Sequence, residues 1–336
     1  MPGEKAGFIH LKQAIDIAGP VNRVLANIEK VLVGKRPQIT MALIAYLAEG
    51  HILLEDVPGV AKTMLARAMA RSVGGSFKRV QCTPDLLPTD ITGVSVFNPK
   101  TVEFEFRPGP IFAHTLLSDE INRATPRTQA ALLEAMAERK VTVDGQTYSL
   151  KPPFLVIATQ NPVDHEGTFP LPEAQLDRFL IRLSLGYPSL EDEFRLLARL
   201  RKTHPIDELQ PVISTADWLG LQEAVKEIHV DEKVRKYLLQ IVHATREHED
   251  LALGGSPRAS LGLMRASQAM AAVQGRGFVT PDDVKRLVQP VLAHRIILRP
   301  ESRLRKQTGA ALLHELVSDI RVPQVAGQEG NDDFKD

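Results

Sequence analysis

Five short apolar runs alternate with helical patterns between residues 31 and 185, and this alternation limits the possible folds more than any other feature of the chain. The runs cover residues 51–55, 77–82, 115–118, 154–159 and 179–183. Uninterrupted apolar strands separated by helices are typical of a parallel sheet that is covered by helices on both faces. The alternation therefore predicts an α/β core.

The pattern changes after Gly186-Tyr187-Pro188, a turn-forming tripeptide that follows the last run. No strand is predicted beyond it. Amphipathic patterns instead predict helices over 190–201, 216–228, 232–248, 258–273, 282–297 and 304–319. Two of these are supported by Ser256-Pro257 and Thr280-Pro281, where a capping hydroxyl precedes a proline at the first helical position. The second half of the chain is therefore predicted to be an all-α domain.

Length and charge add two further limits. The chain has 336 residues, which is long for one compact core, so we expect domains over 31–186 and 187–321. A helical segment is predicted over 1–30, and a disordered polar tail over 322–336. Lys plus Arg and Asp plus Glu both number 41, so no global positive field attracts nucleic acid or anionic lipid. Nucleic acid is therefore not expected as a partner.

The compartment follows from two other features of the sequence. Cys82 is the only cysteine, which excludes a disulfide within the chain and a cysteine-rich metal site. The apolar run over 41–48 is too short to cross a bilayer, and residues 1–10 lack the apolar core of a signal peptide. We expect a cytoplasmic protein without membrane insertion.

Residues 52–71 carry the strand, loop and helix of a phosphate cradle. The strand covers 52–54, the loop covers 55–61, and the helix is predicted to begin at Lys62. In such a loop the backbone N–H groups face phosphate oxygens at the positive end of the helix. Lys62 would reach the β- and γ-phosphates of a nucleotide, and the hydroxyl of Thr63 would bind Mg²⁺.

The cradle departs from the pattern G-x-x-x-x-G-K-[ST] at both glycines. Asp56 replaces the first and Ala61 replaces the second. Ala61 keeps its N–H, but the carboxylate of Asp56 must point away from the phosphates or it would repel them. The alternative interpretation is an ordinary strand-turn-helix unit with a surface lysine, and the degenerate motif alone leaves it open.

Acidic and amide side chains at the ends of two later strands complete the predicted site. Asp119 and Glu120 follow the third run, and Asn161 follows the fourth. Carboxyl ends of parallel strands meet at one edge of a sheet, beside the cradle. Asp119 would hold the Mg²⁺ shell, Glu120 would polarise the attacking water, and Asn161 would orient it. Taken alone, the acids are typical of a solvated strand end, and Asn161-Pro162 of a turn.

Two arginines have the chemistry to stabilise the charge that develops on a transferred phosphoryl group. Arg178 precedes the last predicted strand, and Arg258 begins a helix of the second domain. Each, taken singly, is more often a surface residue. Arg123 lies close to the acids and is an alternative to Arg178.

Six ordered motifs together resemble the MoxR family of AAA+ ATPases, over residues 31–314. They are LEDVPGVAKT (54–63), GPIF (109–112), SDEINRA (118–124), ATQNP (158–162), LPEAQLDRF (171–179) and SPRA (256–259).

The resemblance implies a role for each matching position. Nucleotide-binding residues would be Val33 and Gly34 at the adenine and, in the Walker A segment, Pro58, Gly59, Val60, Ala61, Lys62, Thr63 and Met64. Asp119 and Glu120 would be Walker B, and Thr63 and Asp119 would be the metal ligands. Lys62 and Glu120 would be catalytic. The other catalytic residues would be Asn161 as sensor 1, Arg178 as a finger acting on a neighbouring subunit, and Arg258 as sensor 2, which also contacts the nucleotide.

Two insertions are also implied. Residues 84–108 resemble a helix-2 insert. Residues 139–151 resemble a pre-sensor-1 hairpin, and the alternation around Asp144-Gly145 independently predicts a hairpin with a tight turn. Both insertions would face a central pore or a client.

The resemblance further implies a P-loop NTPase αβα core of the AAA+ type with a helical lid, which uses ATP and Mg²⁺ in a homo-oligomeric ring, a hexamer in expectation. Such proteins remodel or activate client protein complexes, often with a von Willebrand factor A domain partner. A helicase-like AAA+ motor on nucleic acid and a scaffold that binds but does not hydrolyse nucleotide are the alternatives. Asp56 and Ala61 would affect nucleotide affinity.

Overall fold

The computed structural model describes residues 16–161, 167–199 and 205–323. The strands in this part are β1 (Ile52–Glu55), β2 (Phe77–Gln81), β3 (Gly93–Asn98), β4 (Glu103–Pro108), β5 (Thr115–Asp119), β6 (Lys140–Val143), β7 (Gln146–Ser149), β8 (Leu155–Gln160), β9 (Ile181–Leu183), β10 (Leu251–Leu253) and β11 (Ile297–Leu298). The helices are α1 (Ala18–Glu29), α2 (Arg36–Leu47), α3 (Lys62–Ser72), α4 (Pro88–Thr92), α5 (Pro126–Glu138), α6 (Glu173–Leu176), α7 (Leu190–Arg199), α8 (Pro205–Glu208), α9 (Thr215–Lys226), α10 (Glu232–Glu247), α11 (Pro257–Val273), α12 (Pro281–Leu292), α13 (Pro300–Leu304) and α14 (Gly309–Asp319).

The five predicted apolar runs form one parallel sheet with strand order β2-β5-β8-β1-β9. Strand ends differ from the predicted ones by at most two residues, which is within the usual uncertainty of element boundaries. The α/β core is therefore confirmed. Its topology places β8 directly beside β1, the strand that leads into the cradle, and β5 next to β8, although both are distant from β1 in sequence.

Helices cover both faces of this sheet, as the apolar runs predict. Along β1, Ile52 and Leu54 belong to one buried cluster and Leu53 to another, because successive side chains of a strand point to opposite faces. The first cluster contains α1, α2 and α3 and continues into the helices of the lid. The second contains residues of α4 and α5.

The second half of the chain is mainly helical, but the prediction that it has no strand is wrong. Leu251 pairs with Leu298, and Leu253 with Ile297, in the two-stranded antiparallel sheet β10-β11. Strands of three and two residues are too short to show the alternation by which a strand is recognised in sequence.

Two predicted helices of the lid have different bounds in the structure. The helix predicted over 282–297 ends at Leu292, because the chain turns there and Arg295 reaches into the core. The helix predicted over 304–319 begins only at Gly309, as α14, and Leu304 is instead the last residue of the separate short helix α13. Thr308 marks this start, since its hydroxyl caps α14 by accepting a hydrogen bond from the N–H of Ala311.

Both predicted insertions contain antiparallel hairpins. Strands β3 and β4 lie within residues 84–108, and β6 and β7 lie within residues 139–151. Asp144 and Gly145 have φ of 50° and 78°, the left-handed backbone that a two-residue hairpin turn requires. The rings of Phe106 and Tyr148 stack at 4.2 Å, so the hairpins contact each other.

Some predictions fall partly or wholly outside the described residues. These are the first half of the predicted segment 1–30, the last two residues of the predicted helix 190–201, and most of the tail 322–336. The domain boundaries near residues 30 and 186 stay predictions. Among the helices that the structure describes, none combines the length and the apolar composition needed to cross a membrane.

Candidate active site

The phosphate cradle lies at the carboxyl end of β1, and α3 begins at its lysine, as predicted. Gly59 and Ala61 both have left-handed backbone, with φ of 86° and 63°. For Ala61 this conformation costs about 1–2 kcal/mol, because the Cβ of an L-residue crowds the following carbonyl there. The chain therefore keeps the backbone of a glycine loop at a position where it has no glycine.

Apart from the two arginines and Val60, the predicted catalytic and phosphate-binding groups gather around one cavity of about 390 Å³. The residues that line it are Pro58, Gly59, Ala61, Lys62, Thr63, Met64, Arg79, Gln81, Asp119, Glu120 and Asn161. The Nζ of Lys62 donates to the backbone oxygen of Asp56 at 2.9 Å, which holds the ammonium group over the loop. Val60, also predicted, is buried beneath the loop instead.

The carboxylate of Asp56 points away from this cavity, as the sequence requires. It accepts hydrogen bonds from the hydroxyl of Ser184 at 3.0 Å and from the backbone N–H groups of Leu185 and Gly186. Asp56 is 6% exposed. The carboxylate therefore stabilises the segment that follows β9 and connects the core to the lid.

Asp119 is held by groups from both neighbouring strands. On the side of β8, Thr159 Oγ1 donates to Oδ1 at 2.5 Å. On the side of β2, Arg79 donates to Oδ2 from Nε at 3.1 Å and from a terminal nitrogen at 2.6 Å. These contacts fix the direction of the carboxylate.

Glu120 has left-handed backbone, with φ of 57°, which turns its side chain into the cavity. Its N–H donates to Thr159 Oγ1 at 2.8 Å. Its carboxylate accepts from Gln81 at 3.0 Å and from Arg123 at 3.3 Å. Strained backbone at a chemically reactive side chain is typical of functional sites.

Arg79, Gln81 and Thr159 are the residues of this site that the sequence interpretation missed. Arg79 and Gln81 are two residues apart on β2, so their side chains lie on the same face of the sheet. Gln81 is the direct neighbour of Asp119 in the sheet. The available signal was polar residues at the carboxyl end of a strand. That signal becomes specific only when the strand order is known.

Cys82 lies beneath the two acids and is not a candidate nucleophile. Its Sγ is 3.2 Å from Ser118 Oγ, and the residue is buried. Burial, together with the charges of Asp119 and Glu120, raises the pKa of the Cys82 thiol to about 11. The thiol is therefore protonated at neutral pH and unreactive.

Arg178 and Arg258 do not line the cradle cavity. Together they line a second cavity of about 510 Å³ between the core and the lid, with Arg139, Arg265 and Arg295. Arg178 donates to the carbonyl of Leu133 at 2.5 Å. The structure thus brings the two predicted arginines together, but not with the phosphate cradle of their own chain.

Val33 and Gly34 also lie outside the cradle cavity. Gly34 has φ of 71°, and a Cβ there would lie 2.0 Å from a carboxylate oxygen of Asp192 on α7. The Nζ of Lys35 donates to the carbonyl of Tyr187 at 2.8 Å. This segment is packed against the start of the lid.

The residues around the cavity fit a nucleotide with a divalent cation. Backbone N–H groups at the start of α3, the Lys62 ammonium and the Thr63 hydroxyl suit phosphate oxygens. Mg²⁺ is usually bound by one or two carboxylates together with phosphates rather than by an all-protein cage. Among the described residues no cluster of three or more His, Cys, Asp or Glu can hold a metal. A single carboxylate, that of Asp119, acting together with phosphates agrees with the usual way in which Mg²⁺ is bound.

Two family models match the chain. The ATPase family associated with various cellular activities (AAA) matches residues 51–181, and the AAA lid domain matches residues 243–316. A crystal structure of a Cytophaga hutchinsonii protein aligns with a TM-score of 0.87 at 36% identity, over 93% of this chain and 97% of that one. The fold and the site therefore define an AAA+ ATPase with a helical lid.

Two relatives narrow the class to a family. Protein YeaC of Bacillus subtilis is 51% identical over 308 residues, which is 92% of this chain and 96% of YeaC. Chaperone MoxR1 of Mycobacterium tuberculosis is 41% identical over 314 residues, which is 91% of this chain and 83% of MoxR1. The chain belongs to the MoxR family of AAA+ ATPases.

Proposed function

We propose that the protein hydrolyses ATP in a homo-oligomeric ring at sites shared between subunits, and uses the turnover to remodel or activate client protein complexes. The observation that carries the proposal is the separation of two cavities. Lys62, Asp119 and Glu120 line one, whereas Arg178 and Arg258 line the other. Phosphoryl transfer needs both sets at one phosphate.

Each group around the cradle has a chemical task. Lys62 and the loop N–H groups bind the phosphates, and Thr63 and Asp119 would hold Mg²⁺, which when bound neutralises charge on the phosphate oxygens. Glu120 accepts the proton of the attacking water, and Asn161 orients that water without adding charge. Thr159, Gln81 and Arg79 hold the two acids in place.

The arginines would complete the site of a neighbouring subunit. A site lined by Arg178 and Arg258 offers two guanidinium groups to the phosphoryl group as its charge develops. The alternative finger, Arg123, is held instead by Glu120 of its own chain at 3.3 Å. A hexamer is the ring size that the family resemblance suggests. Val33 and Gly34 are proposed to contact the adenine.

The client and its adaptor belong to the same proposal. One relative carries the name of a chaperone, which supports a remodelling role. The hairpin β3-β4 is a proposed client-facing element because its Phe97 and Phe104 are exposed at 48% and 74%. The hairpin β6-β7 is included because Tyr148 stacks on Phe106 of β4. A cytoplasmic location and a von Willebrand factor A domain partner complete the proposal.

A mixing experiment tests the shared site. Lys62→Ala and Arg178→Ala should each abolish ATP hydrolysis when assayed alone. Mixed before assembly, they should regain part of the activity, because some sites then combine the intact lysine of one subunit with the intact arginine of the next. Mixed rings that form but remain inactive would contradict a shared site.

A further inference from the structure

Asp177 lies where the core meets the lid, and lid side chains donate to both of its carboxylate oxygens. Ser256 Oγ donates to Oδ2 at 2.9 Å, and Arg295 Nε donates to Oδ1 at 2.8 Å. Only 17% of the Asp177 side chain is exposed. One carboxylate therefore joins the residue before Arg178 to two different helices, since Ser256 caps α11 and Arg295 follows α12.

Arg295 uses all five N–H donors of its guanidinium group. Besides the carboxylate of Asp177 they reach main-chain carbonyls: Asp177 at 3.2 Å, Phe179 at 2.6 Å, Leu180 at 3.1 Å, and Val291. The side chain is 4% exposed. Three of the four carbonyls flank one residue, Arg178, so what this guanidinium fixes is the path of the main chain on both sides of it.

Ser256 connects the same carboxylate to the second arginine. Its Oγ accepts the N–H of Arg258 at 3.1 Å while it donates to Asp177. Arg178 is thus one residue from Asp177 in sequence, and the helix end that carries Arg258 is one hydrogen bond away. Two groups that must contact the same phosphoryl oxygens need a fixed separation, because a displacement of about 1 Å can cost about 100-fold in rate.

We propose that Asp177, Ser256 and Arg295 form a positioning group that sets the separation of Arg178 and Arg258 for one phosphoryl group of the neighbouring subunit's nucleotide. The inference rests on the shared site proposed above. A buried ion pair seldom adds net stability compared with apolar residues of the same volume. We therefore attribute the Asp177–Arg295 ion pair to its contacts with the main chain around Arg178 rather than to stability.

A matched pair of serine variants separates positioning from stability. Ser256→Ala and Ser214→Ala each remove a serine that caps a lid helix, and only Ser256 also contacts Asp177. Ser256→Ala should lower kcat on the order of 10- to 100-fold and change KM for ATP far less, because the cradle that binds the phosphates is untouched. Ser214→Ala should keep the kcat of the unmodified protein. Equal kcat in the two variants would overturn the proposal.

Arg295→Lys gives a directional test. Lysine has three donors and cannot replace the five of arginine, so kcat should fall on the order of 100-fold. Mixed with Lys62→Ala subunits, whose arginines are intact, the variant should regain activity. Mixed with Arg178→Ala subunits it should not, because neither partner then supplies a correctly placed finger.

The outcomes distinguish this proposal from the shared site itself. If Lys62→Ala and Arg178→Ala fail to complement in mixed rings, the shared site is wrong and the positioning group falls with it. If they complement but Arg295→Lys is fully active, or is rescued by Arg178→Ala, only the positioning group is wrong. Should Arg295→Lys fail to assemble, the serine pair decides.

Discussion

The carboxylate of Asp56, at the first glycine position of the phosphate loop, accepts the backbone N–H of Leu185, where the core passes to the lid. This contact explains why the loop tolerates an acid beside phosphates. It also joins the phosphate loop to the chain that follows β9 and leads into the lid.

Asp56→Gly restores the motif glycine but should destabilise the protein. It leaves the N–H of Leu185 without its partner, and Leu185 is 1% exposed. We expect the free energy of unfolding to fall by about 3 kcal/mol, as for lost hydrogen bonds to a charged group. Urea denaturation measures this. Asp56→Asn, which keeps the shape, should lose less, and a glycine variant as stable as the unmodified protein would contradict the interpretation.

Ala61→Gly should stabilise the protein. Glycine removes the cost of about 1–2 kcal/mol for left-handed backbone. It also raises the entropy of the unfolded chain, which lowers the free energy of unfolding by about 0.4–1 kcal/mol. The free energy of unfolding should therefore rise by about 0.5–1 kcal/mol in total. Ala66→Gly, within α3, is the matched control and should destabilise by about 1 kcal/mol. Thermal unfolding of the two variants should therefore shift in opposite directions; shifts of the same sign would count against strain at Ala61.

Glu120→Gln should separate binding from hydrolysis. The amide keeps the size of the side chain but cannot accept a proton, and general-base catalysis contributes about 100- to 10,000-fold. Phosphate release should slow by that order, while a fluorescent ATP analogue still binds. Glu134→Gln, an exposed acid on α5, is the control and should behave as the unmodified protein. Unchanged turnover in Glu120→Gln would refute its assignment as the base.

Two buried histidines should make the protein less stable in mild acid. Burial lowers the pKa of His51 from 6.5 to about 4, despite its hydrogen bond to the carbonyl of Met136. Between these pH values the unfolded chain binds the proton and the folded chain does not, so the free energy of unfolding falls as the pH falls from 6.5 towards 4. The full effect for His51 is about 3 kcal/mol. Burial, with the charges of Arg295 and Arg182, also lowers the pKa of His294, so His294 too lowers the free energy of unfolding as the pH falls.

Urea denaturation at several pH values checks this expectation. His51→Gln can keep hydrogen bonds to Met136 and Val156 without titrating, so its stability should depend less on pH over the same interval. The same dependence in both proteins would show that His51 does not contribute to it.

DNA should not stimulate ATP hydrolysis. The chain has 41 basic and 41 acidic residues, and counterion release, which drives non-specific binding to DNA, needs an excess of positive charge at the contact. Phosphate release measured with and without duplex and single-stranded DNA tests this. Strong stimulation would favour the nucleic-acid motor over the protein-remodelling ATPase.

The sequence by itself determined the five strands of the main sheet, the β6-β7 hairpin, most helices and the cradle, because hydrophobic period, caps and turn residues act over a few neighbouring positions. It also placed Asp119, Glu120 and Asn161 near Lys62, because parallel strands end at one edge of a sheet. The strands β10 and β11 are too short for a local sequence pattern to reveal them.

Only the tertiary structure decided which groups meet across strands and domains. It paired Arg79 with Asp119, directed Asp56 towards Leu185, and set Arg178 beside a lid arginine rather than beside the cradle. These contacts join residues far apart in the chain. The strand order and the packing of the lid create these contacts, and neither can be recognised from the periodicity of the sequence.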